Sequence, residues 1–316
     1  MTSHSLPLRA GIDMGGTGTR IALLDGEREV VSETILTAWF ATLPEAQRAQ
    51  ALIDTLHRLL PAGYSLASLG IGASGPVNNQ TEIIENNDTL ACFSFYPLVA
   101  QLREKLAIPV AIDNDAVVAA LGEYHLGAGR GSQRMMMVTL GTGIGVALLN
   151  DGEPLRSVDG KHPEAGHIPI SSDPTICYCG LQGCWEMLAS RSWLQQALEQ
   201  EIPDLVWSSN TLKVLEEMAA SRPAVADILY HYGHTVGRGL NILLTLYGPD
   251  LTVLSGSAAA LLPLYQTGLD AALSRAAGYT LNREITQASL GDAAGALGAA
   301  ILPTLRRSSE TSHKQK

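Results

Sequence analysis

Apolar residues along this chain fall into two kinds of run, and their order predicts an α/β protein. Short runs rich in β-forming residues stand at Ala10-Gly11-Ile12, Ile21-Ala22-Leu23-Leu24, Glu29–Leu36, Leu66–Ile71, Pro109–Ile112, Met135–Thr139 and Leu251–Leu254, and each reads as a strand. Longer runs carry their apolar residues three and four positions apart. Pro44–Leu60 is one, with Ala46, Ala49, Leu52, Ile53, Leu56, Leu59 and Leu60 on one face. Tyr96–Leu106, Ala116–Leu126, Met187–Glu199, Thr211–Ala220, Pro223–Tyr247 and Asp292–Leu302 read as helices too. Gly291, Gly295 and Gly298 give the last of these a face of small residues suited to close helix packing.

The first strand pair encloses Asp13-Met14-Gly15-Gly16-Thr17-Gly18-Thr19-Arg20. The glycines leave backbone N–H groups free to face an anion. A Walker loop or a dinucleotide fingerprint would need a helix after the glycines. Here an apolar run ending in Asp25-Gly26 reads as the return strand of a hairpin, and no Gly-Lys-Ser/Thr follows. A partial echo stands at Leu140-Gly141-Thr142-Gly143-Ile144-Gly145-Val146-Ala147-Leu148-Leu149. With Gly16-Thr17-Gly18 set on Gly141-Thr142-Gly143, Ala22-Leu23-Leu24 falls on Ala147-Leu148-Leu149. Two similar halves, each offering a glycine hairpin to one polyphosphate in a central cleft, explain the echo; two unrelated glycine turns would also produce it. Asp13, at the exit of the first strand, stands where a phosphate-bound Mg²⁺ needs an anchor.

Polar clusters interrupt the periodic runs at several places. Gly72-Ala73-Ser74-Gly75-Pro76-Val77 is either a simple turn or a loop that offers backbone groups to a ligand. Asp113-Asn114-Asp115 ends one strand and opens the next helix. Asp115 is then a helix cap, or a general base kept ionised by the helix dipole at the ligand edge of an open sheet. Cys177-Tyr178-Cys179-Gly180-Leu181-Gln182-Gly183-Cys184 lies ten residues after His167. His167, Cys177, Cys179 and Cys184 make a Cys3His set of the kind that closes a structural zinc site. Such an ion would staple the loop that carries Glu164, His167 and Glu186. Ser255-Gly256-Ser257 reads as the opening of a further helix, suited to a nucleotide's sugar or α-phosphate.

Composition narrows the class. The chain has 316 residues, 46% hydrophobic and 16% charged, which suits a compact enzyme of two domains or one large one. A net charge of -10 with no basic patch argues against a nucleic-acid surface. No apolar run approaches the roughly 18 residues that span a bilayer, and residues 1–9 lack the apolar core of a signal peptide. A cytoplasmic location is expected, and the clustered cysteines suit metal binding there better than disulfides.

Glu164-x-x-His167 followed by Cys177-x-Cys179-Gly180-x-x-Gly183-Cys184-x-Glu186, together with the glycine hairpin, resembles the ROK family (repressors, open reading frames and kinases) over about Gly11 to Leu302. The resemblance implies two ribonuclease-H-like (actin-like ATPase) α/β domains around a central cleft. Their expected bounds are 1–116, completed by a C-terminal helix at 292–305, and 117–291, followed by a disordered tail at 306–316. It implies an ATP-dependent, Mg²⁺-requiring kinase of a hexose or N-acetylhexosamine, with structural Zn²⁺ and a homodimeric state. Asp115 would take a proton from a sugar hydroxyl. Gly75, Asn87, Asn114, Asp115, Glu164, His167 and Glu186 would hold the sugar, with Asn86 an alternative to Asn87. Asp13, Gly15, Gly16, Thr17, Thr19, Gly141, Thr142, Gly143 and Gly256 would serve the metal-bound nucleotide.

This sequence departs from the family pattern at Val117, where asparagine is usual, and at Ser255 and Ser257, where a glycine run is commoner. Two rivals are a sugar-responsive regulator of the same family and a sugar-binding protein without transfer activity. A regulator is expected to carry a basic winged helix ahead of the first hairpin, which here begins near residue 10; Asp13, Asn114 and Asp115 argue against the inactive form.

Overall fold

The computed structural model describes residues 5–208, 210–274 and 284–313. In chain order its elements are β1 (Leu6–Met14), β2 (Gly18–Asp25), β3 (Arg28–Leu36), α1 (Thr37–Ala41), α2 (Glu45–Leu59), β4 (Tyr64–Ala73), β5 (Val77–Asn78), β6 (Ile83–Ile84), α3 (Leu98–Leu106), β7 (Val110–Asn114) and α4 (Asp115–Leu126). There follow β8 (Arg134–Leu140), β9 (Ile144–Asn150), β10 (Glu153–Pro154), α5 (Trp185–Ala189), α6 (Arg191–Glu201), α7 (Thr211–Ser221), α8 (Pro223–Tyr247), β11 (Leu251–Ser255), α9 (Leu262–Leu273), β12 (Ile285–Gln287) and α10 (Ala294–His313). The chain forms two compact units. Unit 1 is Met1–Gly131, Gly152–Pro163 and Leu290–Lys316; unit 2 is Ser132–Asp151 and Glu164–Ser289.

Unit 1 is a sheet in the order β3-β2-β1-β4-β7. β1 runs antiparallel to β2 and parallel to β4, and β4 runs parallel to β7. Side chains alternate across a strand. Leu8, Ala10, Ile12 and Met14 of β1 therefore share one face, buried with Leu52 and Leu56 of α2 and Leu102 of α3. Gly11 and Asp13 fall on the other face, under α10. There a Cβ on Gly11 would run into the Ala296 carbonyl, and one on Gly70 into that of Ala299. The small-residue face of α10 also meets α4, since a side chain on Gly298 would strike the Val118 carbonyl. This close packing explains why unit 1 reaches past residue 116 to include α4. Glu123, buried in α4, accepts from Ala128 N–H and Leu290 N–H, both at 2.8 Å, and so ties the end of α4 to the approach of α10. Helix α10 continues to His313 through the first part of the segment expected to be a disordered tail; residues 314–316 of that segment lie outside the described residues.

Unit 2 repeats the pattern in the order β9-β8-β11-β12, with an antiparallel hairpin β8-β9 followed by parallel β11 and β12. β8 thus matches β1, and β9 matches β2. In the first hairpin Met14 pairs with Thr19, and in the second Leu140 pairs with Ile144, so the first loop is one residue longer. The sequence echo holds along the return strands, while Gly15 takes the place of Gly141 on the outgoing side.

The core of unit 2 is Tyr232, Val236, Leu240 and Leu243 of α8 against Tyr265 and Leu269 of α9, with Trp185 wholly buried beside Gly239. α8 has proline in its first turn and ends at Gly248 with φ +52°, the usual asymmetry of helix ends.

Two helix expectations are corrected in unit 2. The run Met187–Glu199 is not one helix, because Ser190 leaves helical geometry and accepts from Trp193 N–H as the cap of α6. Arg191 N–H, which a continuous helix would have used internally, reaches the Gly141 carbonyl at 2.8 Å. Ser255-Gly256-Ser257 does not open a helix either. Gly256 turns the chain at φ +83° against Leu140, and α9 starts at Leu262 after a short 3-10 turn at Ala259–Leu261. Among the described residues no helix is long and apolar enough to cross a membrane.

Candidate active site

The parallel register of β1, β4 and β7 sets Asp13 beside Gly72, and Gly72 beside Asp113. The carboxyl ends of three adjacent strands therefore gather Asp13, the 73–77 loop and Asp113-Asn114-Asp115 at one edge of unit 1. Open α/β sheets bind ligands at this edge. Asn114 caps α4 through Oδ1, which accepts from Ala116 N–H at 2.8 Å. Its Nδ2 lies over Gly75, where an added Cβ would come within 2.5 Å of it. Asp115 opens α4; its Oδ1 accepts from Ala116 N–H at 2.8 Å, and its Oδ2 accepts from the Ser74 hydroxyl at 2.9 Å. Ser74 escaped the sequence reading because its loop looked like a plain turn. Val117 is buried in α4, so the polar contact to Asp115 comes from Ser74 instead.

Asp113 is wholly buried. It is paired with the Arg156 guanidinium, accepts from Asn79 Nδ2 at 2.9 Å, and caps Asn114 N–H at 2.8 Å. Arg156 belongs to the 152–163 segment. The same segment is fixed to unit 1 by Lys161 Nζ to Glu85 at 2.8 Å and by Gln80 Nε2 to the Val158 carbonyl at 3.2 Å.

Asp13 packs against Gly295 of α10. Burial, and then the charge of Asp115, lift its carboxyl from 3.8 to about 7, with Arg20 opposing and Asp292 adding to the rise. A carboxyl raised by a neighbouring carboxylate in this way favours a divalent cation, and the all-oxygen donor set suits Mg²⁺.

The first glycine hairpin is pinned from behind. Gly15 N–H donates to Gly18 O at 2.9 Å, the Thr37 hydroxyl donates to Gly15 O at 2.6 Å, and Thr37 N–H donates to Thr17 O at 3.1 Å. Gly16 and Thr17 are left exposed at the tip. Thr19, expected to serve the nucleotide, is fully buried, its hydroxyl 3.0 Å from that of Thr37, so that its side chain braces the hairpin from within.

Asn86 and Asn87 separate as clearly. Asn86 is buried, and its Nδ2 serves Gly75 O at 2.8 Å and Thr89 Oγ1 at 2.7 Å while its Oδ1 accepts from Thr89 N–H at 2.9 Å. It braces the loop, whereas Asn87 is exposed.

In unit 2 the second hairpin closes by Gly141 N–H to Gly143 O at 3.0 Å, with Thr142 exposed at its tip. Glu186, in the first turn of α5, occupies the space a Gly143 side chain would need and accepts from Ile144 N–H at 2.8 Å. Glu164 precedes the 3-10 turn Ala165–His167, which lies on β9 because Gly166 has no Cβ to strike the Ile144 carbonyl. Glu164, His167, Glu186, the 141–143 hairpin and Gly256 are thereby held around one end of the β8-β9 pair.

The metal-site residues also meet. Donor atoms of His167, Cys177, Cys179 and Cys184 all lie within 4.8 Å of one another. Cys177 Sγ is 3.6 Å from His167 Nδ1, and Cys179 Sγ is 3.6 Å from Cys184 Sγ, spacings that a tetrahedral Zn²⁺ with Zn–S near 2.3 Å accommodates. His167 Nε2 faces the other way and lies 3.1 Å from the Tyr178 hydroxyl.

Residues 9–305 match the family model described as ROK family. A glucokinase of Halalkalibacterium halodurans is 30% identical over 322 residues, covering 92% of this chain and 93% of the relative. The xylose repressor of Bacillus subtilis is 26% identical over 253 residues, 78% of this chain and 64% of the repressor. The crystal structure of a ROK family glucokinase from Streptomyces griseus in complex with glucose and AMPPNP aligns with a TM-score of 0.74 at 26% identity, covering 93% of this chain and 98% of the other. The α/β architecture with its mixed sheets is accordingly the actin-like ATPase fold of ROK glucokinases. The glycine hairpins, the Glu164-x-x-His167 turn and the cysteine cluster stand within the matched residues, and the chain belongs to the ROK family.

Proposed function

We propose that this protein is an ATP-dependent sugar kinase that phosphorylates a hydroxyl of a hexose or N-acetylhexosamine, with Asp115 as the general base. The observation that carries the proposal is the arrangement at the head of α4: Asp115 is held by Ser74 at 2.9 Å and is near enough to Asp13 to raise its carboxyl. Glucokinase relatives support sugar phosphorylation as the reaction class, and the AMPPNP complex supports ATP as the donor.

Phosphoryl transfer has a loose transition state, so alignment and charge stabilisation outweigh covalent chemistry. Asp115 is fixed in rotamer by two hydrogen bonds and is suited to orient an acceptor hydroxyl and take its proton. Asn114 Nδ2, over Gly75, is placed to donate to a neighbouring sugar oxygen, and exposed Asn87 offers another contact. Gly16 and Thr17 in unit 1 and Thr142 and Gly143 in unit 2 offer backbone N–H groups to phosphate oxygens, while the Gly15 and Gly141 N–H groups close the turns that present them. Gly256, beside Leu140, permits a close approach at the nucleotide end. Asp13 would hold Mg²⁺, which when bound offsets charge on the phosphates. His167, Cys177, Cys179 and Cys184 would hold structural Zn²⁺, keeping Glu164, His167 and Glu186 oriented toward the sugar. A cytoplasmic homodimer belongs to the same proposal, and light scattering after size exclusion reads the assembly.

A coupled ADP-release assay over a panel of hexoses and N-acetylhexosamines tests the proposal. Sugar-dependent turnover in Mg²⁺-ATP is expected. Sugar binding with no turnover for any acceptor would favour the regulator reading, which the xylose repressor relative motivates.

A further inference from the structure

Tyr178 sits between Cys177 and Cys179, and its side chain is 78% exposed. For so exposed a ring it is heavily committed. Its hydroxyl lies 3.1 Å from His167 Nε2, and its ring stands edge-on to the imidazole with centroids 5.0 Å apart at 86°. Burial of the hydroxyl end holds the phenol above its ordinary value, helped by the nearby acidic charge of Glu186.

The pattern of donors and acceptors is specific. His167 turns Nδ1 toward the cysteine cluster, 3.6 Å from Cys177 Sγ, so with a metal bound its Nε2 carries the proton and donates. The hydroxyl facing that ring N–H must accept from it, which is what a sugar hydroxyl does at the same group. Glu186 Oε2 is already engaged by Ile144 N–H at 2.8 Å, which fixes its carboxylate in that orientation.

Building on the sugar-kinase reading, the geometry points to Tyr178 as a built-in stand-in for a substrate hydroxyl, closing the sugar anchor His167 until a hexose hydroxyl replaces it. The exposed ring loses little packing when it leaves, so the stand-in lowers sugar affinity without blocking the site. Apparent affinity falls by the fraction of molecules in which Tyr178 has moved aside. It also keeps the His167 Nε2 position paired while no sugar is present.

The test compares the wild-type holoprotein with Tyr178→Phe, zinc content being measured for both. Glucose, mannose, fructose, N-acetylglucosamine and N-acetylmannosamine are titrated calorimetrically without nucleotide. The Phe variant keeps the ring but loses the hydroxyl, and it is expected to bind its sugar about 3- to 10-fold more tightly, the equivalent of roughly one hydrogen bond. Equal or weaker binding by Tyr178→Phe at equal zinc content overturns the stand-in and leaves the kinase reading in place. Binding of no sugar by either protein removes the sugar site itself, and the stand-in with it. Should the variant lose zinc, a crystal structure of the wild-type protein with its sugar decides. A sugar oxygen in the place of the phenol supports the proposal; a retained His167–Tyr178 bond beside bound sugar overturns it.

Discussion

The Ser74 hydroxyl donates to Asp115 at 2.9 Å across 41 positions of sequence, joining the loop after β4 to the first residue of α4. Ser74 is itself anchored, its N–H donating to Met14 O at 3.0 Å. The proposed base is therefore oriented by the end of β1 as well as by its own helix. Ser74→Ala removes a hydrogen bond to a carboxylate, an interaction worth about 1.5–3 kcal/mol. Turnover should fall by roughly tenfold or more through misorientation of Asp115. A steady-state assay checks this; an unchanged rate would mean that Ser74 does not position the base.

The buried pair Arg156–Asp113 gives a stability prediction. Truncating one partner of a buried ion pair leaves an uncompensated charge and costs about 3–5 kcal/mol. Arg156→Met should lower the urea midpoint of unfolding accordingly, and adding Asp113→Asn should restore part of the loss. Equal destabilisation by the single and double variants would show that the charge at Asp113 is not what Arg156 neutralises.

Asp13 supplies a pH signature. Its carboxyl is raised from 3.8 to about 7 by burial and by Asp115, so between these values the folded chain keeps a proton that the unfolded chain releases. A folded state that binds more protons loses stability as pH rises. Wild type should lose stability relative to Asp13→Asn from about pH 4 to about pH 7, by about 1–4 kcal/mol, and the gap should then level off. Denaturant titrations with a chelator present measure it, and added Mg²⁺ should narrow the gap. A gap independent of pH would place Asp13 outside this titration.

Zinc removal should act on unit 2 alone. A structural Zn²⁺ contributes roughly 10 kcal/mol or more to ordering its ligands. Treatment with a strong chelator should make the 164–186 segment protease-sensitive and abolish sugar binding, and Zn²⁺ should restore both. Protease resistance and sugar affinity that survive full metal removal would contradict the staple.

Much of this was legible in the sequence where local pattern dictates structure. Strand alternation, the helical period of Pro44–Leu60 and Pro223–Tyr247, and the two glycine turns each need only a dozen neighbouring residues to be read. The four metal-site residues were readable because three thiols fall within eight positions. What stayed hidden depends on distant partners. Asp113 finds Arg156 43 positions away, and nothing near either residue announces it. The break at Ser190 follows from Arg191 bonding Gly141, a tertiary contact that overrides a good helical period. Thr19 looked like part of a phosphate loop until the pleat placed it inward against Thr37. Tyr178 reads in the sequence only as a spacer between cysteines, since a zinc motif fixes its ligands and leaves the residue between them free.

The most direct test of the central claim is a paired measurement on Asp115→Asn. Asparagine keeps the size and much of the hydrogen bonding but cannot take the proton. With Asp115 as the base, sugar and Mg²⁺-ATP should bind with near wild-type affinity by calorimetry, while turnover falls by about 10²–10⁴-fold. Wild-type turnover in Asp115→Asn, with binding intact, would contradict that role.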